Sequence, residues 1–228
     1  VKNAEEIEIM KHSTEINDLV MERAAAYIKE GMTEKQIADF IDAEYLKEGA
    51  SGVSFDTIVC FGANAADQHH TPSETRTLKA GECILIDMGC VWHGYCSDMT
   101  RTVVIGKADE KQKEIYNIVL EAQLNAIEKL RSGITGACGD SYARDVISEA
   151  GYGEYFGHGL GHSVGLYIHE QPRLSKSESM ILKPGMVVTV EPGIYISGLY
   201  GVRIEDVVVI EDGGVNNLTH SDKRLIEI

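Results

Sequence analysis

Leu78-Lys79-Ala80-Gly81-Glu82-Cys83-Ile84-Leu85-Ile86-Asp87 is echoed later in the chain by Leu182-Lys183-Pro184-Gly185-Met186-Val187-Val188-Thr189-Val190-Glu191. Each stretch passes from a Leu-Lys-x-Gly turn into an apolar run that ends on an acid six residues past the glycine. Apolar, β-branched runs bounded by glycine read as strands. A Gly-containing stretch follows each, then a second acid at the head of another such run, Asp98 in SDMTRTVVIG and Glu205 in IEDVVVIEDG. Eight residues after each second acid stands another glycine, Gly106 and Gly213. Both units read as strand, acid, turn, acid, strand, an internal duplication at long period rather than a short solenoid repeat.

If each unit is an antiparallel hairpin, its two acids lie near one another across the strands. Packing the units about a pseudo-two-fold axis then gathers all four carboxylates. Four anions within a few ångströms repel strongly in a low-dielectric interior, so cations must neutralise them. Between the units, GHGLGHSVGLYIHEQP places His158, His162 and His169 among glycines that let backbone approach closely. A lone histidine is usually a packed or surface residue, but three in this stretch between two acid pairs point to a site. His69 and His70, beside Pro72, add two candidates.

The rest of the chain is helical where it is not strand. Apolar periodicity predicts helices over 4–29 and, after the capping-box pair Thr33 and Gln36, over 34–47. Two more are predicted over 109–131 and 138–149, each ending at a glycine. The fold class expected is α+β, with one large core serving residues 1–228 as a single catalytic domain.

Composition narrows the partners. A formal charge of -15 argues against a nucleic-acid or anionic-membrane surface, because both need clustered Lys and Arg. No apolar run approaches the roughly 18 residues of a membrane span, and the polar start does not read as a signal peptide. The five cysteines, an odd set with no CxxC pair, read as reduced core residues of a cytoplasmic protein. The chain begins with Val, as a fragment or a processed protein would.

Four carboxylates and one imidazole, Asp87, Asp98, His162, Glu191 and Glu205, form a hard, oxygen-rich ligand set. It favours Mn²⁺, then Co²⁺ or Fe²⁺, and admits Zn²⁺. Five ligands exceed what one small open ion needs, but two divalent metal ions about 3.5–4 Å apart would use them all.

These motifs resemble those of the pita-bread metallopeptidases, specifically the Xaa-Pro peptidases (prolidase and aminopeptidase P). The family's metal-binding Asp, Asp, His, Glu and Glu match Asp87 (LIDMG), Asp98 (YCSDMTRT), His162 (GLGHSVGL), Glu191 (VEPGIY) and Glu205 (VRIEDVV). The resemblance runs from about residue 60 to the end, and the amino-terminal helices fit it. It implies two pseudo-symmetric halves of antiparallel strands with helices outside. It also implies hydrolysis of the bond preceding proline, in peptides with proline second, by a hydroxide bridging two ions.

By the same resemblance Asp98 and Glu205 bridge the ions, Asp87 holds one, and His162 and Glu191 hold the other. Glu191 shuttles the proton to the leaving nitrogen. His70 stabilises the tetrahedral intermediate, although either His69 or His70 can be structural. His158 and His169 contact the substrate or leaving group, and Arg203 orients the metal-bound carboxylates. Asp206 points to the opposite face of its strand and stays outside the site. Asp67, Glu74, Glu82 and Glu170 read as surface or supporting groups, while Tyr95 and Tyr195 are weaker candidates for the cleft wall.

Three rivals share this fold. Methionine aminopeptidases have the five ligands but typically space the glutamates farther apart and lack an Arg-Ile-Glu-Asp stretch. Creatinase lacks the metal ligands, and a non-catalytic binding domain of this fold tends to lose them; all five are present here. Xaa-Pro peptidases commonly carry an amino-terminal domain that restricts the cleft and forms a homodimer, whereas here the catalytic pattern begins almost at residue 1.

Overall fold

Three of the four helices begin in reciprocal capping boxes, which satisfy otherwise orphaned N–H groups of the first turn. Asn3 and Glu6 start α1 (Ala4–Tyr27), Thr33 and Gln36 start α2 (Glu34–Lys47), and Asp109 and Gln112 start α3 (Glu110–Lys129). Thr135 caps α4 (Gly136–Glu149) by accepting from the Cys138 N–H. The computed structural model describes residues 1–228, and each helix lies within two residues of its predicted span.

The first half of the chain contributes β1 (Gly52–Val53), β2 (Ile58–Phe61), β3 (Cys83–Met88), β4 (Cys90–Trp92), β5 (Tyr95–Cys96) and β6 (Met99–Val104). The second contributes β7 (Gly161–Ser163), β8 (Glu170–Leu174), β9 (Val187–Val190), β10 (Gly193–Ile196), β11 (Tyr200–Arg203), β12 (Asp206–Ile210) and β13 (Val215–Asn217). A last strand, β14 (Ile226–Glu227), returns to pair in parallel with β6. The main sheets run β14-β6-β3-β2 and β13-β12-β9-β7-β8, antiparallel apart from that one pairing.

The duplication reaches beyond the strands. Gly31 and Met32 exchange backbone hydrogen bonds with Leu78, and Gly133 and Ile134 do the same with Leu182. The turn glycines Gly81 and Gly185 both adopt φ +81°, a conformation that glycine enters without steric cost, and their N–H groups bond Ile105 and Ile210. Each half thus locks the loop before its second helix to the loop before its first long strand.

Strand parity separates core from site, because alternate residues face opposite sides. On β3, Ile84, Ile86 and Met88 join Ile16, Val20, Ile37 and Ile41 in the core beneath α1 and α2. On β9 and β12, Val188, Val190, Val208 and Ile210 join Ile115, Val119, Ala143 and Ile147 beneath α3 and α4. Truncating a fully buried member such as Ile41 to Ala costs about 2–5 kcal/mol, the range for such cavities. The opposite parity sends Asp87, Glu191 and Glu205 inward between the sheets. The architecture is α+β, with helices outside both sheets and no helix long and apolar enough to cross a membrane.

One expectation changes. The second acid pair is nearly as predicted: Glu191 and Glu205 sit one step beyond the Val190–Asp206 pair that ends their ladder. The first is not, because Asp87 pairs with Thr100 and Asp98 sits one step beyond the Met88–Met99 pair that ends its ladder. Asp98 is therefore diagonal to Asp87 at the same end of the sheet, although a hairpin separates the acids in both units, β4–β5 in the first and β10–β11 in the second.

Candidate metal centre and cleft

Asp98, His162 and Glu205 each offer a ligand atom within 4.8 Å of the others, and all three are buried. Glu205 leads into β12, where its N–H donates to Thr100 O at 3.1 Å and its Oε2 accepts from Thr100 Oγ1 at 2.6 Å. Both contacts tie the second acidic unit to β6 of the first. His162 lies on β7, brought against β9 by Gly161, where an added Cβ would meet Thr189 O at 2.1 Å. The His162 Nδ1 lies 3.1 Å from Ser163 O and donates to it, which leaves the Nε2 lone pair facing Asp98 at 3.5 Å and Glu191 at 3.4 Å. These separations exceed a good hydrogen bond and leave Nε2 available to a cation.

Burial sets the protonation preferences. Asp98 is pushed well above the usual carboxylate range by burial and by the Glu205 charge, and Glu205 by burial and by Glu191 and Asp87. Burial, with Asp87 adding to it, raises Glu191 to about 7. His162 is lowered by burial, so the neutral, ligating form is favoured. Buried Asp87 Oδ1 and Asp98 Oδ1 have no hydrogen-bond partner. Clustered anions, unpartnered carboxylate oxygens and a neutral imidazole with a free lone pair together fit divalent cations.

Arg203, 4% exposed on β11, gathers several of these groups. It donates from Nη2 to Asp87 Oδ2 at 2.5 Å, from Nε to Thr100 Oγ1 at 3.0 Å and from Nη1 to the Tyr195 hydroxyl at 2.9 Å. Burial disfavours its charge, but Tyr195, Asp87 and Glu205 outweigh that and raise its pKa. The Tyr195 hydroxyl in turn lies 2.8 Å from His158 Nε2, and His158 Nδ1 lies 2.7 Å from Gly159 O. Burial and the Arg203 cation lower His158 to about 3, so the ring is neutral. Its loop is pinned from behind by Arg144, which donates to Phe156 O and His158 O.

All nine residues given a metal-binding or catalytic role from the sequence line one cavity of about 490 Å³, together with His69, Asp56, Gln68 and Arg173. His169, exposed at its mouth, stacks edge-on with His162 at 4.5 Å between ring centroids. Of the two tyrosines, Tyr195 reaches cleft residues through His158 and Arg203. Tyr95 does not: its hydroxyl donates to Glu6 at 2.7 Å, because β5 turns that side chain toward α1. Asp206 faces away as predicted, bound by Arg101, Gln123, Asn217 and Lys223.

Metallopeptidase family M24 matches residues 8–212. The chain belongs to metallopeptidase family M24. It has that family's pita-bread fold, which the solved structures corroborate. The X-Pro aminopeptidase of Thermotoga maritima MSB8 superposes with TM-score 0.98 at 42% identity, covering 100% of this chain and 64% of that one. The Xaa-Pro dipeptidase of Bacillus anthracis gives 0.98 at 44% identity, with 100% and 64% covered. An uncharacterized peptidase of Staphylococcus haemolyticus is 46% identical over 98% of this chain. The M24 chain spans 63% of that relative's length.

Two M24 cleft features were missed in the sequence. Arg173 lies on β8 beside His162 and its guanidinium makes no ion pair; arginine on an edge strand carries no signal by itself. Glu34 was absorbed into a helix start, where an acid suits the dipole. It is instead fully buried, 2.7 Å from His70 Nε2.

Proposed function

We propose that this chain is the catalytic domain of an Xaa-Pro peptidase that uses two divalent metal ions, Mn²⁺ first among them. The observation that carries the reading is the buried Asp98–His162–Glu205 cluster, joined on one cleft by Asp87 and Glu191. Its similarity to an Xaa-Pro dipeptidase and an X-Pro aminopeptidase supports proline-directed cleavage. Asp87, Asp98, His162, Glu191 and Glu205 would hold the ions. Bound there, two cations supply acidified water and polarisation of the scissile carbonyl.

The chain's own groups do the rest. Glu191, on the cleft wall beside His162, would take a proton and return it to the leaving nitrogen. His70 and His169 line the same cleft and would face the substrate there, and neutral His158 lines the wall. Arg203 holds Asp87 by Oδ2, which leaves Oδ1 without a partner in the chain and would free it for a cation. The cavity, about 490 Å³, suits a short peptide rather than a folded protein.

The test is hydrolysis of Ala-Pro, a longer Xaa-Pro peptide and a Met-Ala peptide with Mn²⁺, Co²⁺, Fe²⁺ or Zn²⁺ in turn, with metal content measured alongside. Metal-dependent release of the residue before proline supports the reading. Cleavage only after methionine, or neither bound metal nor hydrolysis, overturns it.

A further inference from the structure

Glu34 is the first residue of α2, yet its side chain is 0% exposed and every contact of its two oxygens is with a donor or a ring nitrogen. Oε1 accepts from Phe61 N–H at 2.8 Å and from Asn64 Nδ2 at 2.8 Å. Oε2 accepts from Ser73 N–H at 2.9 Å and lies 2.7 Å from His70 Nε2. This is the partner set of a carboxylate, which only accepts. The His70 ring must therefore carry its proton on Nε2. The Asn64 amide donates one N–H to Glu34 Oε1 and lies 3.2 Å from the same ring nitrogen, whereas the shorter Glu34 Oε2 contact requires the ring N–H.

We propose that Glu34 is a positioning residue for His70: it holds the Nε2 proton and so presents Nδ1 to the cleft. The inference rests on the proposed peptidase function, in which His70 faces the reacting carbonyl. Nδ1 makes no hydrogen bond within the chain, and His70 lines the cavity. A carboxylate behind the ring fixes its tautomer and orientation, and its negative charge faces the ring when Nδ1 must donate to a developing oxyanion. The same four contacts also tie residues 61–73 to α2, so a purely structural role is the rival to be separated.

Glu34→Gln separates them. It keeps the volume and one accepting oxygen, but its amide NH₂ would face Nε2 and drive the neutral ring to the Nδ1–H tautomer. In the Mn²⁺-loaded protein, kcat on an Xaa-Pro peptide is expected to fall on the order of 10–100-fold with little change in KM. In a His70→Ala background the same substitution is expected to cost nothing more. Nitrogen-15 spectra of the histidine rings, taken without metal, should show Nε2–H for His70 in the parent and its loss in Glu34→Gln.

Equal losses in both backgrounds, or an Nδ1–H ring in the parent, overturn the assignment. The parent spectrum decides this even if Glu34→Gln fails to fold. A parent inactive on every proline peptide overturns instead the proposed function on which the use of His70 depends.

Discussion

Arg203 closes on Asp87 at 2.5 Å while its other nitrogens reach Thr100 and Tyr195, so one guanidinium joins β3 and β6 of the first half to β10 of the second. Lysine cannot reproduce this three-way fork, having a point charge in place of a planar donor set. Arg203→Lys should weaken Mn²⁺ binding about 10–100-fold, the range for residues that orient metal ligands. Metal titration by calorimetry checks it; unchanged affinity would show that Asp87 needs no such support.

Asp98 and Glu205 combine burial with like-charge neighbours, so they stabilise the chain only when cations are bound. Asp98→Ala and Glu205→Ala should abolish metal-dependent hydrolysis and lower bound metal. Asp98→Asn, which keeps the volume, should melt higher than the parent when both are stripped by chelator. A lower melting temperature would mean that the buried charge is neutralised within the protein.

How much of this was legible in the sequence depends on the period of the signal. Asp87 and Glu191 stood out because each ends an apolar run after the same Leu-Lys-x-Gly turn, and strand parity then placed Asp206 outside the cleft. Helix starts were legible because capping boxes are local. The diagonal offset of Asp98 was not, since it is set by the register that places Asp87 opposite Thr100, and both units carry a hairpin between their acids. Nor were Tyr95, Glu34 and Arg173. Their surroundings are set by residues far away in the chain: Tyr95 by Glu6, and Glu34 by Phe61, Asn64, His70 and Ser73.

Glu191 predicts a pH dependence for the metal-free chain. Burial raises it from 4.5 to about 7, so between those values the folded chain holds a proton that the unfolded chain has lost. Its stabilising effect is fully present below pH 4.5 and lost as pH rises through about 7. In chelator, the melting temperature of the parent minus that of Glu191→Gln should therefore decline across this window. Saturating Mn²⁺ should shrink the decline, because metal displaces the proton. A difference that rises with pH would place Glu191 in a charge-stabilising environment in the metal-free chain.

Arg173 bears on substrate length. It is an unpaired cation on the wall of a cleft whose ligands are mostly acidic, beside His162 on the neighbouring strand. Under the proposed function, the free carboxylate of a bound dipeptide would lie one residue beyond the scissile carbonyl, in the cleft that Arg173 lines. A charge-assisted hydrogen bond there contributes about 1.5–3 kcal/mol, and solvent exposure of Arg173 places the effect near the lower end. Arg173→Ala should raise KM for Ala-Pro roughly tenfold, while Ala-Pro amide, which lacks the carboxylate, should be nearly unaffected. If both substrates lose equally, Arg173 supports the cleft wall instead of reading the peptide's end, and selection for length must come from elsewhere in the protein.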